Sequence, residues 1–173
     1  MTSDELRKLV RDIPDFPKPG IIFRDITPLI SDARGLAAVV DQLAEPYLGK
    51  VDLVLGIESR GFIVGAPVAY RLGVGLAIVR KPGKLPFRSI AESYNLEYGA
   101  AALQIHEDAI ASGRRVLIVD DLLATGGTAR AAITLVEKLG GSLIGCAFII
   151  ELAGLRGREL LEPASCFSLI QYD

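Results

Sequence analysis

At 173 residues, half of them hydrophobic, the chain is long enough to bury a sizeable core and is read as one domain over 1–173. Its charges nearly cancel, 19 Lys and Arg against 21 Asp and Glu for a net charge of −2, which gives no support for a nucleic-acid or anionic-membrane partner. No basic-then-apolar leader pattern and no apolar run near membrane-span length stand out, so an unexported, cytoplasmic protein is expected.

The first predicted element is a short amphipathic helix in SDELRKLVRDI, capped by Ser3 and placing Leu6, Leu9, Val10 and Ile13 on one face. Pro14, Pro17, Pro19 and Gly20 then forbid regular structure and predict an extended connector across the surface. Ile21, Ile22, Phe23, Arg24 and Asp25 follow. An apolar triplet with an arginine fits core packing and a ligand-facing role equally well. Ser31 or Asp32 suits the cap of a second helix carrying Leu36, Val39, Val40, Leu43 and Tyr47.

Val51 to Leu55 reads as the first core strand, leading through Gly56-Ile57-Glu58-Ser59-Arg60-Gly61 into a helix with Ile63, Val64, Pro67, Val68 and Leu72. A bare cation at a helix start opposes the dipole, so Arg60 is expected to meet an anion. Gly75 to Val79 is a third strand, followed by Arg80-Lys81-Pro82-Gly83-Lys84-Leu85-Pro86-Phe87-Arg88, a cation-rich loop that suits either a solvated connection or a lid over a diphosphate. Ser93 to Gly99 alternates as a strand does, which by itself leaves Glu97 facing solvent. His106, the one histidine, has no second ligand at metal spacing and is assigned a surface or capping role.

The stretch from Arg115 to Gly140 carries the chemistry. Val116 to Val119 is a mostly β-branched run suited to a buried parallel strand. It ends at Asp120 and Asp121, followed by Ala124-Thr125-Gly126-Gly127-Thr128 and then Ala132, Ile133, Val136 and Leu139 at helical spacing. Two glycines let backbone N–H groups converge where the next helix adds its own unpaired donors, which is a phosphate cradle. The loop lacks the lysine of nucleoside-triphosphate P-loops, so a terminal monophosphate suits it better. Two carboxylates beside a phosphate would repel it, and they fit instead the hydroxyls of an attached sugar, directly or through a divalent cation. Beyond this stretch, Ser142 to Leu152 reads as a strand, Gly154 to Leu161 as a short helix and Cys166 to Ile170 as a last strand. Cys146 and Cys166 lie in apolar runs without metal or redox spacing and are expected to be buried free thiols.

VLIVDDLLATGGTARA closely resembles the phosphoribosyl pyrophosphate (PRPP) signature of type I phosphoribosyltransferases. With GIIFRDITP, GIESRGF, RKPGKLP, SYNLEYG and a terminal FSLIQY, the resemblance covers nearly the whole chain and points to the adenine-specific family. It implies the type I α/β fold, a central mainly parallel sheet flanked by helices with a small N-terminal hood over about residues 1–30. It further implies pentosyl transfer from PRPP to adenine, giving AMP and pyrophosphate, with Mg²⁺, in a cytoplasmic homodimer. The resemblance assigns Ala124, Thr125, Gly126, Gly127 and Thr128 to the 5′-phosphate and Asp120 and Asp121 to the ribose. Ser59, Arg60, Arg80, Lys81 and Lys84 are assigned to pyrophosphate, and Ile22, Phe23 and Arg24 to adenine. The magnesium is expected on PRPP near Asp120 and Asp121. The 6-oxopurine enzymes carry an aspartate where this chain has Ala124, and the acid/base task passes by resemblance to Glu97, with Arg60 as a second catalytic candidate. The same family suggests an unusual backbone at 58–61, such as a non-proline cis bond. Two other readings share the fold: a regulator that senses PRPP, disfavoured by the lack of a basic excess, and transfer to a different base.

Overall fold

The computed structural model describes residues 1–96 and 99–173. Helix α1 spans only Ser3–Arg7 and is capped by Thr2 rather than Ser3: the Thr2 hydroxyl accepts the Glu5 N–H while the Glu5 carboxylate accepts the Thr2 N–H. A helix this short is not self-sustaining, and the residues beyond it enter an antiparallel hairpin, β1 (Arg11–Pro14) with β2 (Ile22–Asp25). Ile13 therefore belongs to a strand. Cross-strand ion pairs Arg11–Asp25 and Arg24–Asp12 flank the ladder. The proline-rich segment turns the chain back instead of crossing the surface, closed by Phe16 N–H to the Ile21 carbonyl at 3.2 Å and Gly20 N–H to Asp15 Oδ1 at 2.7 Å.

The predicted second helix is two: α2 (Thr27–Ser31) and α3 (Ala33–Ala44), with Asp32 capping α3 through the Gly35 N–H at 2.7 Å. Tyr47 lies past α3 in a 3₁₀ turn. Then follow β3 (Leu53–Ile57), α4 (Arg60–Leu72), β4 (Gly75–Val79), β5 (Ser89–Leu96), β6 (Gly99–His106), β7 (Arg115–Leu123), α5 (Gly127–Lys138), β8 (Ser142–Leu152), α6 (Gly157–Leu161) and β9 (Cys166–Tyr172).

Five strands form one parallel sheet in the order β4-β3-β7-β8-β9. Every residue of β3 is buried, as a strand covered on both faces requires. One core lies between the sheet and α5, with Ile118, Ala132, Ile133, Val136 and Phe148. The other takes in Val39 and Leu43 of α3, Val64 and Val68 of α4, and Leu6, Ile26 and Leu29 of the N-terminal segment. Helix α1 is stitched to β9 by the Ser3 hydroxyl on the Leu169 carbonyl at 2.6 Å and the Arg7 guanidinium on the Gln171 carbonyl at 2.5 Å.

Strands β5 and β6 make a separate antiparallel arm, fastened to the end of β4 by reciprocal backbone bonds between Arg80 and Gln104 at 2.9 and 2.7 Å. His106 closes this arm. It is half-buried rather than a surface or capping residue, its ring edge-on to Phe87 at 5.9 Å and its Nε2 buried without a hydrogen-bond partner among the described residues.

Candidate active site

In a parallel α/β sheet the loops after the strands gather at the carboxyl edge, and ligands bind there where strand order reverses. Strands β3 and β7 are sequence-distant neighbours, so the turn after β3 and the loop after β7 open onto one cleft of about 910 Å³. Its walls include Glu58, Ser59 and Arg60 from the first turn, Lys81 and Pro82 from the loop after β4, Ser93 and Tyr94 from the arm, and Asp120 through Ala129.

The cradle has the expected form. Gly126 adopts φ +86° and caps α5, and the Arg130 N–H bonds its carbonyl at 2.8 Å, so the N–H groups at the start of α5 have no intrahelical partner. Strand β7 is longer than its apolar run: it continues through both aspartates to Leu123, because Leu122 and Leu123 still pair with Ile150 and Glu151 of β8. The carboxylates therefore sit on the rigid ladder.

Asp121 is nearly buried and pairs with the Arg60 Nε. Asp120 accepts the Asp121 N–H at 2.9 Å. Burial, reinforced by the neighbouring Asp121 charge, drives the Asp120 carboxyl well above the usual carboxylate range. Helix α4 begins against this pair. A Cβ on Gly61 would lie 2.8 Å from Asp120 Oδ1 and 2.9 Å from the Val119 carbonyl oxygen, so only glycine permits that approach. The cation at the start of α4 is explained by its partner, Asp121, which neutralises it. The Glu58–Ser59 peptide is cis, as the resemblance suggested.

The remaining cations divide. Lys81 lines the cleft, whereas neither Arg80 nor Lys84 does. Arg80 is held by Glu58 through Nε at 3.2 Å and a second nitrogen at 3.1 Å, and its third nitrogen bonds the Lys84 carbonyl at 3.1 Å. Those arginine bonds hold the Glu58 carboxyl below its usual range despite partial burial.

Among the adenine candidates only Phe23 meets the other site residues, with the Arg60 guanidinium 5.3 Å from its ring centroid and Phe16 edge-on at 5.3 Å. Ile22 is exposed. Arg24 points elsewhere, pairing with Asp12 and lying over the Tyr172 ring at 4.0 Å, as alternation along β2 requires. Glu97 lies outside the described residues. Glu58, Ser93 and Tyr94 are cleft residues outside the expected set; the acidic residue beside Ser59 and Arg60 is a visible signal, while nothing local distinguishes Ser93 or Tyr94 along the strand.

A family model for the phosphoribosyl transferase domain matches residues 23–172. Adenine phosphoribosyltransferase of Acidobacterium capsulatum is 56% identical over 173 residues, covering 99% of this chain and 96% of that protein. That of Geobacter metallireducens is 52% identical over 170 residues, covering 98% and 99%. The chain belongs to the adenine phosphoribosyltransferases. Among solved members of the family, the enzyme of Thermoanaerobacter pseudethanolicus superposes with a TM-score of 0.96 at 50% identity, covering 99% of this chain and 100% of that one. The Saccharomyces cerevisiae adenine phosphoribosyltransferase, solved with adenine and an imino-altritol bisphosphate, gives 0.91 at 40% identity, covering 96% and 97%.

Proposed function

We propose that this cleft carries out the family's reaction, transferring the 5-phosphoribosyl group of PRPP to adenine to give AMP and pyrophosphate in purine salvage. The observation that carries the reading is the meeting at one sheet edge of a lysine-free amide cradle, an aspartate pair and the Ser59–Arg60 turn. In this reading the N–H groups of residues 125–128 and the hydroxyls of Thr125 and Thr128 take the 5′-phosphate. Asp120 and Asp121 take the ribose hydroxyls. Ser59, Arg60 and Lys81 take the pyrophosphate, and Arg80 and Lys84 join them once Arg80 exchanges Glu58 for the ligand.

The donor set fits a magnesium ion carried by the substrate. Among the described residues no group of three or more acidic, histidine or cysteine side chains could cage a metal, and Mg²⁺ commonly uses one or two carboxylates together with substrate phosphates. Asp120 and Asp121 would hold it, and when bound it neutralises charge on the diphosphate.

As the anomeric C–O bond breaks, positive charge builds on the ribose and negative charge on the departing diphosphate. Arg60 and Lys81 stabilise the latter, an effect of about 3 kcal/mol per well-placed donor. The aspartates favour the cationic sugar. Glu97 handles the proton on the adenine imidazole ring. Phe23 offers an aromatic face to the base, with residues 1–30 as the hood around it, Ile22 and Arg24 contributing through their backbone.

A second copy of the chain is the expected partner. The outer face of α4, with Ile63 49% and Tyr70 89% exposed, offers apolar surface for it, as does the exposed Leu76 on the edge strand β4. Cys146 and Cys166, free thiols whose burial pushes them up to about 12 and about 11, suit a reducing cytoplasm. The deciding assay follows pyrophosphate release from PRPP with adenine, hypoxanthine, guanine and a pyrimidine, with and without Mg²⁺. Release with adenine and Mg²⁺ alone is expected; equal release with another base overturns the specificity, and none with any base overturns the activity.

A further inference from the structure

The cradle residues do not stand alone. The backbone of α6 lies directly beneath them: a Cβ on Gly126 would come within 2.5 Å of the Gly157 carbonyl oxygen, and one on Gly157 would strike the Ala124 carbonyl and lie 2.9 Å from the Gly126 nitrogen. Two glycines thus touch backbone to backbone, and whatever fixes Gly157 fixes the cradle.

Helix α6 has only five residues, too few to hold itself in place. Leu161 anchors its far end in the core. Its near end is held by Arg158, all of whose guanidinium nitrogens are engaged. Nε donates to Glu151 Oε1 at 3.0 Å, one terminal nitrogen to the Cys166 carbonyl at 2.5 Å, and the other to Glu151 Oε2 and to the Ser168 hydroxyl at 3.1 Å. Glu151 is 5% exposed and also accepts from the Ser168 hydroxyl and from Gln171 Nε2 at 3.3 Å. It stands on β8 opposite Leu123, the residue just before the loop.

Glu151 is buried but the Arg158 side chain is 40% exposed, and an ion pair so open to solvent adds little stability, so its presence here is better explained by the geometry it imposes. Arg158 ties β8, β9 and α6 with one planar group, which a lysine cannot do. We propose that Arg158, seated on Glu151, is a positioning residue for the 5′-phosphate: it sets the height of Gly157 and through it the aim of the amides from residue 125 onward. The proposal rests on the reading that this loop takes the phosphate.

The test measures the dissociation constant of ribose 5-phosphate, KM for PRPP and adenine, kcat and thermal midpoint for Gly157→Ala, Arg158→Lys, Ser168→Ala and Thr128→Ala. Gly157→Ala and Arg158→Lys are expected to weaken ribose 5-phosphate and raise KM for PRPP by about tenfold or more, in keeping with the cost of displacing a binding group by an ångström. KM for adenine stays within about twofold, and Ser168→Ala shows the same pattern more weakly. A merely structural role would lower the midpoint and the active fraction while leaving both KM values alone, and that result overturns the proposal. Thr128→Ala separates the two readings. If it leaves ribose 5-phosphate unaffected, the loop assignment itself fails; if it weakens binding while the Gly157 and Arg158 variants do not, only the positioning role fails. Should Gly157→Ala or Arg158→Lys not fold, Ser168→Ala still decides.

Discussion

The two neighbouring aspartates stand in different electrostatic company. Asp121 is committed to Arg60, while Asp120 is pushed toward its neutral form by burial and by the charge beside it, a cost that a cation or a hydroxyl-bearing ligand relieves. Glu97→Gln should lower kcat by about 10² to 10⁴ while leaving PRPP affinity within a factor of a few, measured by steady-state kinetics and equilibrium binding. An unchanged kcat removes Glu97 from the reaction. The base side is tested by Phe23→Ala, expected to raise KM for adenine by about tenfold and KM for PRPP by less than twofold, since the aromatic face it loses is worth about 1–3 kcal/mol to a stacked base. This substitution is a sharper probe than removing residues 1–30, because that deletion would also strip Leu6, Ile26 and Leu29 from the core.

At the scale of elements, the parallel strands and the loop after β7 were readable because β-branched runs, paired acids and glycines each have a narrow set of physical uses. The N-terminal segment was misread for an equally physical reason. Leu6, Leu9, Val10 and Ile13 fit a helical face, yet the ladder between Arg11–Pro14 and Ile22–Asp25 is a long-range pairing that no local periodicity reports. The end of β7 was placed short because its pairing with β8 outlasts its apolar side chains. Nothing local marks Arg158 and Glu151 as partners, since their pairing depends on three elements meeting. Strand starts are pinned by a similar device: Arg115 on β7 clasps Asp52 before β3, with its Nε and N–H on Asp52 Oδ2 at 3.0 Å each. The arginine holds the Asp52 carboxyl down to about 2, against its ordinary 3.8. A depressed carboxyl contributes stability above its unfolded pKa and loses it as pH falls through the folded one. The thermal midpoint of Asp52→Asn should therefore lie below that of the parent by a constant margin above pH 4, and the two should converge as pH approaches 2. A margin that does not change with pH would mean that the pair acts through packing and not charge.

For the whole molecule, the sheet leaves β4 at one edge, and on the outer face of α4 the Tyr70 side chain is almost fully exposed. If two chains pair through this face, as proposed, replacing Tyr70 and Ile63 together by Glu and Asp should halve the mass seen by light scattering while leaving the circular dichroism of the fold intact; a parent mass of one chain overturns the pairing, and an unchanged two-chain mass moves the contact elsewhere. The opposite edge carries a different consequence. There Ser3 and Arg7 bond the backbone of Leu169 and Gln171, so residues separated by more than nine-tenths of the chain meet in one seam. The Arg24 guanidinium over the Tyr172 ring adds the hairpin to the same seam, a set of contacts of very long sequence separation. Arg158 also bonds Cys166 and Ser168 of that same strand, so the N-terminal hairpin and the loop after β7 lean on one support, and loosening β9 is expected to disturb both ends of the cleft together.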